Sequence, residues 1–323
     1  MITNISQEIK DYLEQNQTFL ILTHKKPDGD AIGSTIALGK GLKSIGKTVD
    51  YYIDMPIEKK LDAFHEIVYF DTHILKEYDA VIMLDCSTYA YAFKPEPMVR
   101  FEKMLVIDHH QSNENFGDYN HVEVASATGE LIFRLLKQMS IILDDEMIDA
   151  IYTSISTDTG SFQFSNVTSQ THEILSQLYY CKNSFAPLSK KLHHEKSFDQ
   201  MKMFGEAISS ISLFENGRIA WIYLDQQTIN QYGGMINITD DIANIGVNIT
   251  GVIIGVTIKQ AEDNLYRVSL RSRSPYDIDV SHIAKEHGGG GHQRAAGFSY
   301  SGLLSDLKIE IIKFLKEEYE LCD

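Results

Sequence analysis

The chain has 323 residues and carries 45 acidic against 29 basic side chains, a formal net charge of −16. That balance excludes a broad positive surface tracking long duplex nucleic acid, while 43% hydrophobic and 23% charged residues fit a globular chain long enough for two cores. No run approaches the roughly 18 consecutive apolar residues of a membrane helix, and Met1-Ile2-Thr3-Asn4 lacks the basic flank of a signal peptide, so a cytoplasmic protein with no membrane partner is expected. Cys86, Cys181 and Cys322 are odd in number, far apart and without a Cys-x-x-Cys pair, which predicts reduced thiols.

Ile5 to Glu14 reads as an amphipathic helix and Phe19 to Leu22 as a short buried strand. Pro27 and Gly29 force a turn before a helical run from Ala31 to Ile45, so residues 23–30 sit at a strand's carboxyl end, where ligands bind in open α/β sheets. His24, Asp28 and Asp30 on this one loop make a candidate metal cradle. The plainer reading is that Asp28 and Asp30 only start the helix, capping its free N–H groups at the positive end of the dipole.

Thr48 to Ile53 predicts a second strand and Glu58 to Glu66 a helical piece. Asp79 to Asp85 is an apolar run that ends on a carboxylate, and residues 103–108 form another, followed at once by His109 and His110. Ser126 to Met139 and Asp144 to Ser156 are helical in pattern, with Asp158 just beyond. Strands alternating with helices predict an α/β fold: a doubly wound, mostly parallel sheet whose ligands share one rim.

Residues 168–210 are helical with a break at Pro187, and His193 and His194 fit a solvated helix face better than a ligand pair. Arg218 to Leu224, Gly251 to Lys259 and Leu265 to Arg271 predict antiparallel strands, with a turn at Asp263-Asn264. Val280 to Glu286 predicts a short helix, and Leu303 to Tyr319 a longer one after the glycine run 288–291. The expected organisation is a metal-binding domain over 1–190, a connecting helix over 191–210, and a smaller α+β domain over 211–323, with the active site in the cleft between domains.

His24, Asp28, Asp30, Asp85, His109 and Asp158 come from four strand or helix ends, enough for two ions if one carboxylate bridges. Imidazole mixed with carboxylate suits manganese, iron, cobalt or zinc better than magnesium, and manganese is the first expectation. Two ions roughly 3.5–4 Å apart can hold a hydroxide and clamp both oxygens of an in-line displacement at phosphorus. In that frame His109 binds metal, His110 reaches the substrate, and Asp108 orients an imidazole. Gly289, Gly290 and Gly291 offer N–H groups for an anion nest, with His292 and Arg294 following, and Arg271 and Arg273 flank Ser272 where a guanidinium can fork onto a terminal phosphate. The alternative for these is a plain glycine loop beside surface arginines.

Taken together, His24-Lys25-Lys26-Pro27-Asp28-Gly29-Asp30-Ala31-Ile32-Gly33-Ser34, Asp85, Asp108-His109-His110, Asp158-Thr159-Gly160 and the stretch 288–297 resemble the DHH phosphoesterase superfamily over nearly the whole chain. Their order is most like its NrnA-type members, bifunctional oligoribonucleases and pAp phosphatases with a DHH domain and a DHH-associated domain. The resemblance implies that His24, Asp28 and Asp85 hold one manganese and Asp30, Asp85, His109 and Asp158 the other. It further implies that His110 lies by the scissile phosphate, and that Arg271 and His292 bind a substrate phosphate. Implied substrates are short RNA cut to mononucleotides and the 3′-phosphate of pAp. Linear or cyclic dinucleotides such as pApA and c-di-AMP are a further expectation; pyrophosphate or polyphosphate hydrolysis and a non-catalytic nucleotide-binding regulator are the competing readings. Where some members of that superfamily carry a basic residue this chain has Gln163. Small cytosolic enzymes of this layout often pair, so a homodimer is also among the expectations.

Overall fold

A computed structural model describes residues 5–54, 57–64, 76–95, 99–234, 240–273, 276 and 278–319. The chain divides into two compact units, Met1–Glu195 and Lys196–Asp323.

The first unit is a five-stranded, wholly parallel sheet in the order β2-β1-β3-β4-β5. Its strands are β1 (Thr18–Leu22), β2 (Thr48–Tyr52), β3 (Glu77–Leu84), β4 (Arg100–Asp108) and β5 (Tyr119–Val122). Both faces of the central strands are buried, which is why they read as continuous apolar runs. Phe19 and Ile21 join the larger core, while Leu20 and Leu22 join a smaller one with Val81, Met83 and Val106. The larger core is covered by α1 (Gln7–Gln15), α2 (Gly29–Ser44), α3 (Thr128–Gln138), α4 (Asp145–Asp158), α5 (Ser169–Cys181) and α6 (Ala186–His193).

In this strand order the chain goes outward from β1 to β2 and then crosses back to β3. The switch point therefore lies between the carboxyl ends of β1 and β3, where an open α/β sheet leaves a crevice. Contact between α2 and α4 is unusually close. A Cβ on Gly33 would stand 2.3 Å from the Ala150 carbonyl oxygen, so only glycine lets the two backbones meet.

The second unit is a six-stranded sheet in the order β10-β11-β9-β8-β7-β6. It comprises β6 (Ser212–Phe214), β7 (Ile219–Leu224), β8 (Ile254–Glu262), β9 (Leu265–Ser272), β10 (Gly290–His292) and β11 (Ala295–Ser301). The sheet is mixed: β7 and β8 are parallel, which corrects the expectation of antiparallel strands throughout. The reason is a helical crossover between them through α8 (Gln226–Gln231) and α9 (Asp240–Ile245), whereas a hairpin would have reversed the chain. The helix α7 (Phe198–Ser209), expected to be a connector, packs Met203 and Ala207 into a cluster with Ile222 and Leu224 of β7. On the sheet's other core, α10 (Ser281–Glu286) and α11 (Leu304–Tyr319) contribute Ile283, Leu307, Ile311 and Leu315.

Of the predicted helical piece 58–66, residues Lys59–Phe64 form a 3₁₀ turn, and the last two positions lie outside the described residues.

Candidate metal centre

The donors collect at the switch point. Asp28 is the N-cap of α2, and its Oδ1 accepts from the N–H groups of Asp30 at 3.0 Å and Ala31 at 3.1 Å. Asp28 caps the helix, as the plainer reading has it, and its carboxylate also groups with His24 and Asp85. Asp30, in the first turn of α2, accepts none of that helix's own N–H groups and instead receives the first two of α3. It is buried, with Oδ1 accepting from the hydroxyls of Ser34 at 2.9 Å and Ser154 at 2.6 Å and the Gly129 N–H at 3.2 Å, and with Oδ2 accepting from the Thr128 N–H at 2.7 Å. Four donors on one buried carboxylate fix its position, while burial and then the neighbouring Asp85 charge, against the pull of His109, hold it well above the usual carboxylate pKa.

Asp85 follows β3 with a left-handed backbone, φ +53°, a conformation that costs a non-glycine residue energy and is retained where the surroundings over-determine it. Its two oxygens face different partners. Oδ2 lies 3.7 Å from His24 Nε2, and Oδ1 lies 3.6 Å from His109 Nε2, 3.6 Å from His110 Nδ1 and 3.1 Å from the donating Thr128 hydroxyl. His109 Nε2 is also 3.7 Å from Asp30 Oδ2 and 3.6 Å from Asp158 Oδ2 at the end of α4. Three sets of potential ligand atoms result, each within 4.8 Å: His24, Asp28 and Asp85; Asp30, His109 and Asp158; and Asp85, His109 and His110. All six predicted metal ligands are thus in one cluster.

The imidazoles are set for coordination. His24 Nδ1 lies 2.8 Å from the Lys25 carbonyl and His109 Nδ1 lies 3.1 Å from the Ala125 carbonyl. A carbonyl only accepts, so each Nδ1 carries the hydrogen and the Nε2 lone pair turns toward the carboxylates, the arrangement that fixes a metal-bound histidine. The pKa values describe the same cluster without cations. Burial opposes protonation of His24, but the hydrogen bond and charge of Asp85 outweigh it and hold the ring at about 9. For His109 burial is likewise outweighed, by Asp30, Asp85 and Asp158, again to about 9. Burial would raise Asp85, yet His24, His109 and His110 pull it down to about 2. Burial, then Asp85 and Asp28 against the pull of His109, pushes Asp158 up to about 7. Four carboxylates gathered with two imidazole Nε2 atoms form a donor set that fits divalent cations.

Asp108, fully buried, sits behind the centre: its Oδ1 is 2.7 Å from His110 Nδ1 and its Oδ2 accepts from Asn113 Nδ2 at 2.6 Å.

In the second unit Arg271 is the penultimate residue of β9, with Nε donating to Asn244 Oδ1 at 3.1 Å, and it pairs in register with Ala295 beside Arg294. Arg294 Nη1 is buried with no hydrogen-bond partner among the described residues. Ser272 donates its hydroxyl to the Ile278 carbonyl at 2.9 Å. The glycines depart from the expected open nest. Gly288 and Gly289 donate their N–H groups to the carbonyls of Lys285 and Ala284 and so close α10, while Gly290 and Gly291 pair with Gly297 and Ala296. Packing explains it: a Cβ on Gly289 would meet the Gly297 carbonyl oxygen at 2.2 Å. For His292 only the backbone, in β10, is described.

Residues 18–155 match the DHH family N-terminal domain and residues 229–320 match the DHHA1 domain. The chain belongs to the DHH family of phosphoesterases. The bifunctional oligoribonuclease and PAP phosphatase NrnA of Thermus thermophilus is 27% identical over 300 residues, covering 92% of this chain and 89% of its own. NrnA of Bacillus subtilis is 26% identical over 309 residues, covering 94% and 96%. The fold is shared with the crystal structure of an exopolyphosphatase-related protein from Bacteroides fragilis, at TM-score 0.80 and 22% identity over 97% of this chain and 95% of that one. RecJ of Thermus thermophilus in complex with Mn²⁺ aligns at TM-score 0.53 and 13% identity, over 96% of this chain and 54% of RecJ.

Sequence reasoning missed the residues of the DHH domain that hold the ligands in place: Ser34, Thr128, Ser154 and Asn113. Two left a signal. Ser34 and Ser154 each stand four residues from a ligand on the same helix, Asp30 and Asp158, and so share its face. His193, read as solvated, instead lies 2.7 Å by Nε2 from the Ser156 hydroxyl of α4. Among the described residues, no helix is long and apolar enough to cross a membrane.

Proposed function

We propose that the chain hydrolyses short oligoribonucleotides to mononucleotides and removes the 3′-phosphate of pAp, using two divalent cations, manganese first among them. The observation that carries this reading is Asp85: one oxygen faces the His24 set and the other faces His109, as a carboxylate shared by two ions requires. The NrnA relatives, similar over nearly their full length, support the substrate pair.

His24, Asp28 and Asp85 would hold one cation, and Asp30, Asp85, His109 and Asp158 the other. When bound, such a pair polarises a phosphoryl oxygen and acidifies water. The protein's own part is positional and protonic. Asp108 fixes the ring of His110 through Nδ1, and the ring then handles the proton of the departing ribose oxygen. Arg271 and Arg294 grip a second phosphate, and the orphaned Arg294 Nη1 is a donor suited to an anionic oxygen. Ser272, Gly289, Gly290 and Gly291 form the backbone beside these arginines.

The test is a 5′-labelled RNA trimer and pAp, each incubated with Mn²⁺ or with chelator. Metal-dependent mononucleotide and AMP are expected, and an inert protein on both substrates refutes the proposal.

A further inference from the structure

Two large exposed rings stand on backbone tied to ligand-bearing segments, Tyr91 against His24 and Phe164 on the turn that follows Asp158. Through their shared partners the donors run His24, Asp85, His109, Asp158. Next to the first, Tyr91 lies parallel to the His24 ring, 9° between planes and 5.6 Å between centroids, and is 51% exposed. Its carbonyl accepts the Lys25 N–H at 3.0 Å, so the residue is tied to the ligand loop itself. Six residues past Asp158, Phe164 is 56% exposed.

Phe164 is held outward at a conformational cost. Gly160, Ser161 and Phe162 are all left-handed, at φ +55°, +57° and +65°, and two of them are not glycine. This sharp turn sends Phe162 inward, edge-on to Tyr152 at 6.0 Å, and sets the tip of the Phe164 ring on Gly160, where a Cβ would stand 2.4 Å from it. The turn is pinned by the Ser161 N–H to the Ser156 carbonyl at 2.7 Å, by the Gln163 and Phe164 N–H groups to the Thr159 carbonyl, and by Asn166 Nδ2 to the Asp158 carbonyl at 3.1 Å. Packing alone does not call for an exposed phenyl on so constrained a turn.

We infer that Tyr91 and Phe164 are base-stacking platforms, each taking one nucleobase of a substrate whose scissile phosphate lies on the ligand cluster between them. Every base has a π-face, so such platforms tolerate any sequence while demanding a base on each side of the cleaved bond. They favour a dinucleotide unit over pAp, which offers one base only. The inference rests on the proposed phosphodiester chemistry and specifies its substrate.

The experiment compares Tyr91→Leu, Phe164→Leu and the corresponding Trp substitutions on a diribonucleotide, on pAp, and on a dinucleotide of the same backbone with both bases removed. Each Leu variant should raise KM for the intact dinucleotide roughly 5- to 150-fold, which corresponds to about 1–3 kcal/mol per stacked base, and the Trp variants should restore it. The ratio of kcat/KM between intact and base-free dinucleotide should fall with either Leu substitution, and pAp should respond to only one of them. Unchanged KM, an equal loss on the base-free substrate, or loss confined to one ring overturns the inference. Equilibrium titration with the dinucleotide reads the platforms without turnover, so a wild-type protein that binds but does not cleave refutes the hydrolytic reading and leaves the stacking result to stand or fall on the Leu variants.

Discussion

Protons occupy the centre where cations would otherwise sit, and this fixes how metal binding must depend on pH. With His24 and His109 at about 9 and Asp158 at about 7, the metal-free cluster at pH 7 holds a proton on each imidazole and part of one on Asp158. Coordination needs the Nε2 lone pairs and charged carboxylates, and burial raises Asp28 and Asp30 as well, so loading the site must expel at least about two protons at neutral pH. Apparent affinity for Mn²⁺ should then rise by at least about a hundredfold per pH unit near pH 7, and level off above pH 9. Calorimetric titration with Mn²⁺ in buffers of different ionisation enthalpy counts the protons, and repeating it from pH 6 to 9.5 gives the slope. Affinity that is flat across this range, or binding without proton release, would refute the placement of His24 and His109 as ligands.

The same shifts set the stability of the metal-free protein. Raised imidazoles contribute stability that is full below the unfolded histidine value of about 6.5 and is lost as pH climbs through about 9, so the melting temperature of chelated protein should fall over that window while manganese-loaded protein stays level. Asp85→Ala should remove Mn²⁺-dependent phosphoester hydrolysis more completely than any other single ligand change, since both ligand sets lose a member; near-normal turnover in that variant contradicts a shared carboxylate. Asp28→Asn keeps a capping side chain and should melt like the parent with weaker metal binding, whereas Asp28→Ala should also lose about 1 kcal/mol of stability in denaturant titration. Ser154→Ala takes one of four donors from Asp30, and metal affinity should drop roughly 10- to 100-fold by titration.

Much of the first unit was legible because apolar runs end abruptly on polar residues. Strands β1, β3 and β4 are buried on both faces toward their carboxyl ends, so each apolar run and its terminal carboxylate or imidazole stand out. The elements that escaped share a different physics. Tyr119–Val122 is an edge strand whose side chains are all half-buried, and it has neither an apolar run nor an alternation to mark it. Ser212–Phe214 is a three-residue edge strand, again without pattern. The parallel pairing of β7 with β8 depends on which strands become neighbours, a long-range choice that local periodicity does not carry.

Residue types and chain order named the candidate ligands, but only topology brings them together. Asp30 and Asp85 are 55 positions apart, and Asp158 is 73 further on. They meet because β1, β3 and β4 are adjacent in the sheet and parallel, so their carboxyl ends open on one side, and because Gly33 lets α2 lie against α4 closely enough for the Ser154 hydroxyl to reach the Asp30 carboxylate. A methyl group at Gly33, 2.3 Å from the Ala150 carbonyl, would separate the two helices that carry Asp30 and Asp158. Overpacking of that kind costs about 1–3 kcal/mol. Gly33→Ala should therefore lower metal affinity together with stability, although residue 33 is no ligand. The glycine in the stretch 24–34 thus acts on the chemistry through the distance between two backbones, and a Gly33→Ala protein with unchanged Mn²⁺ affinity would mean that the helix contact does not set the centre.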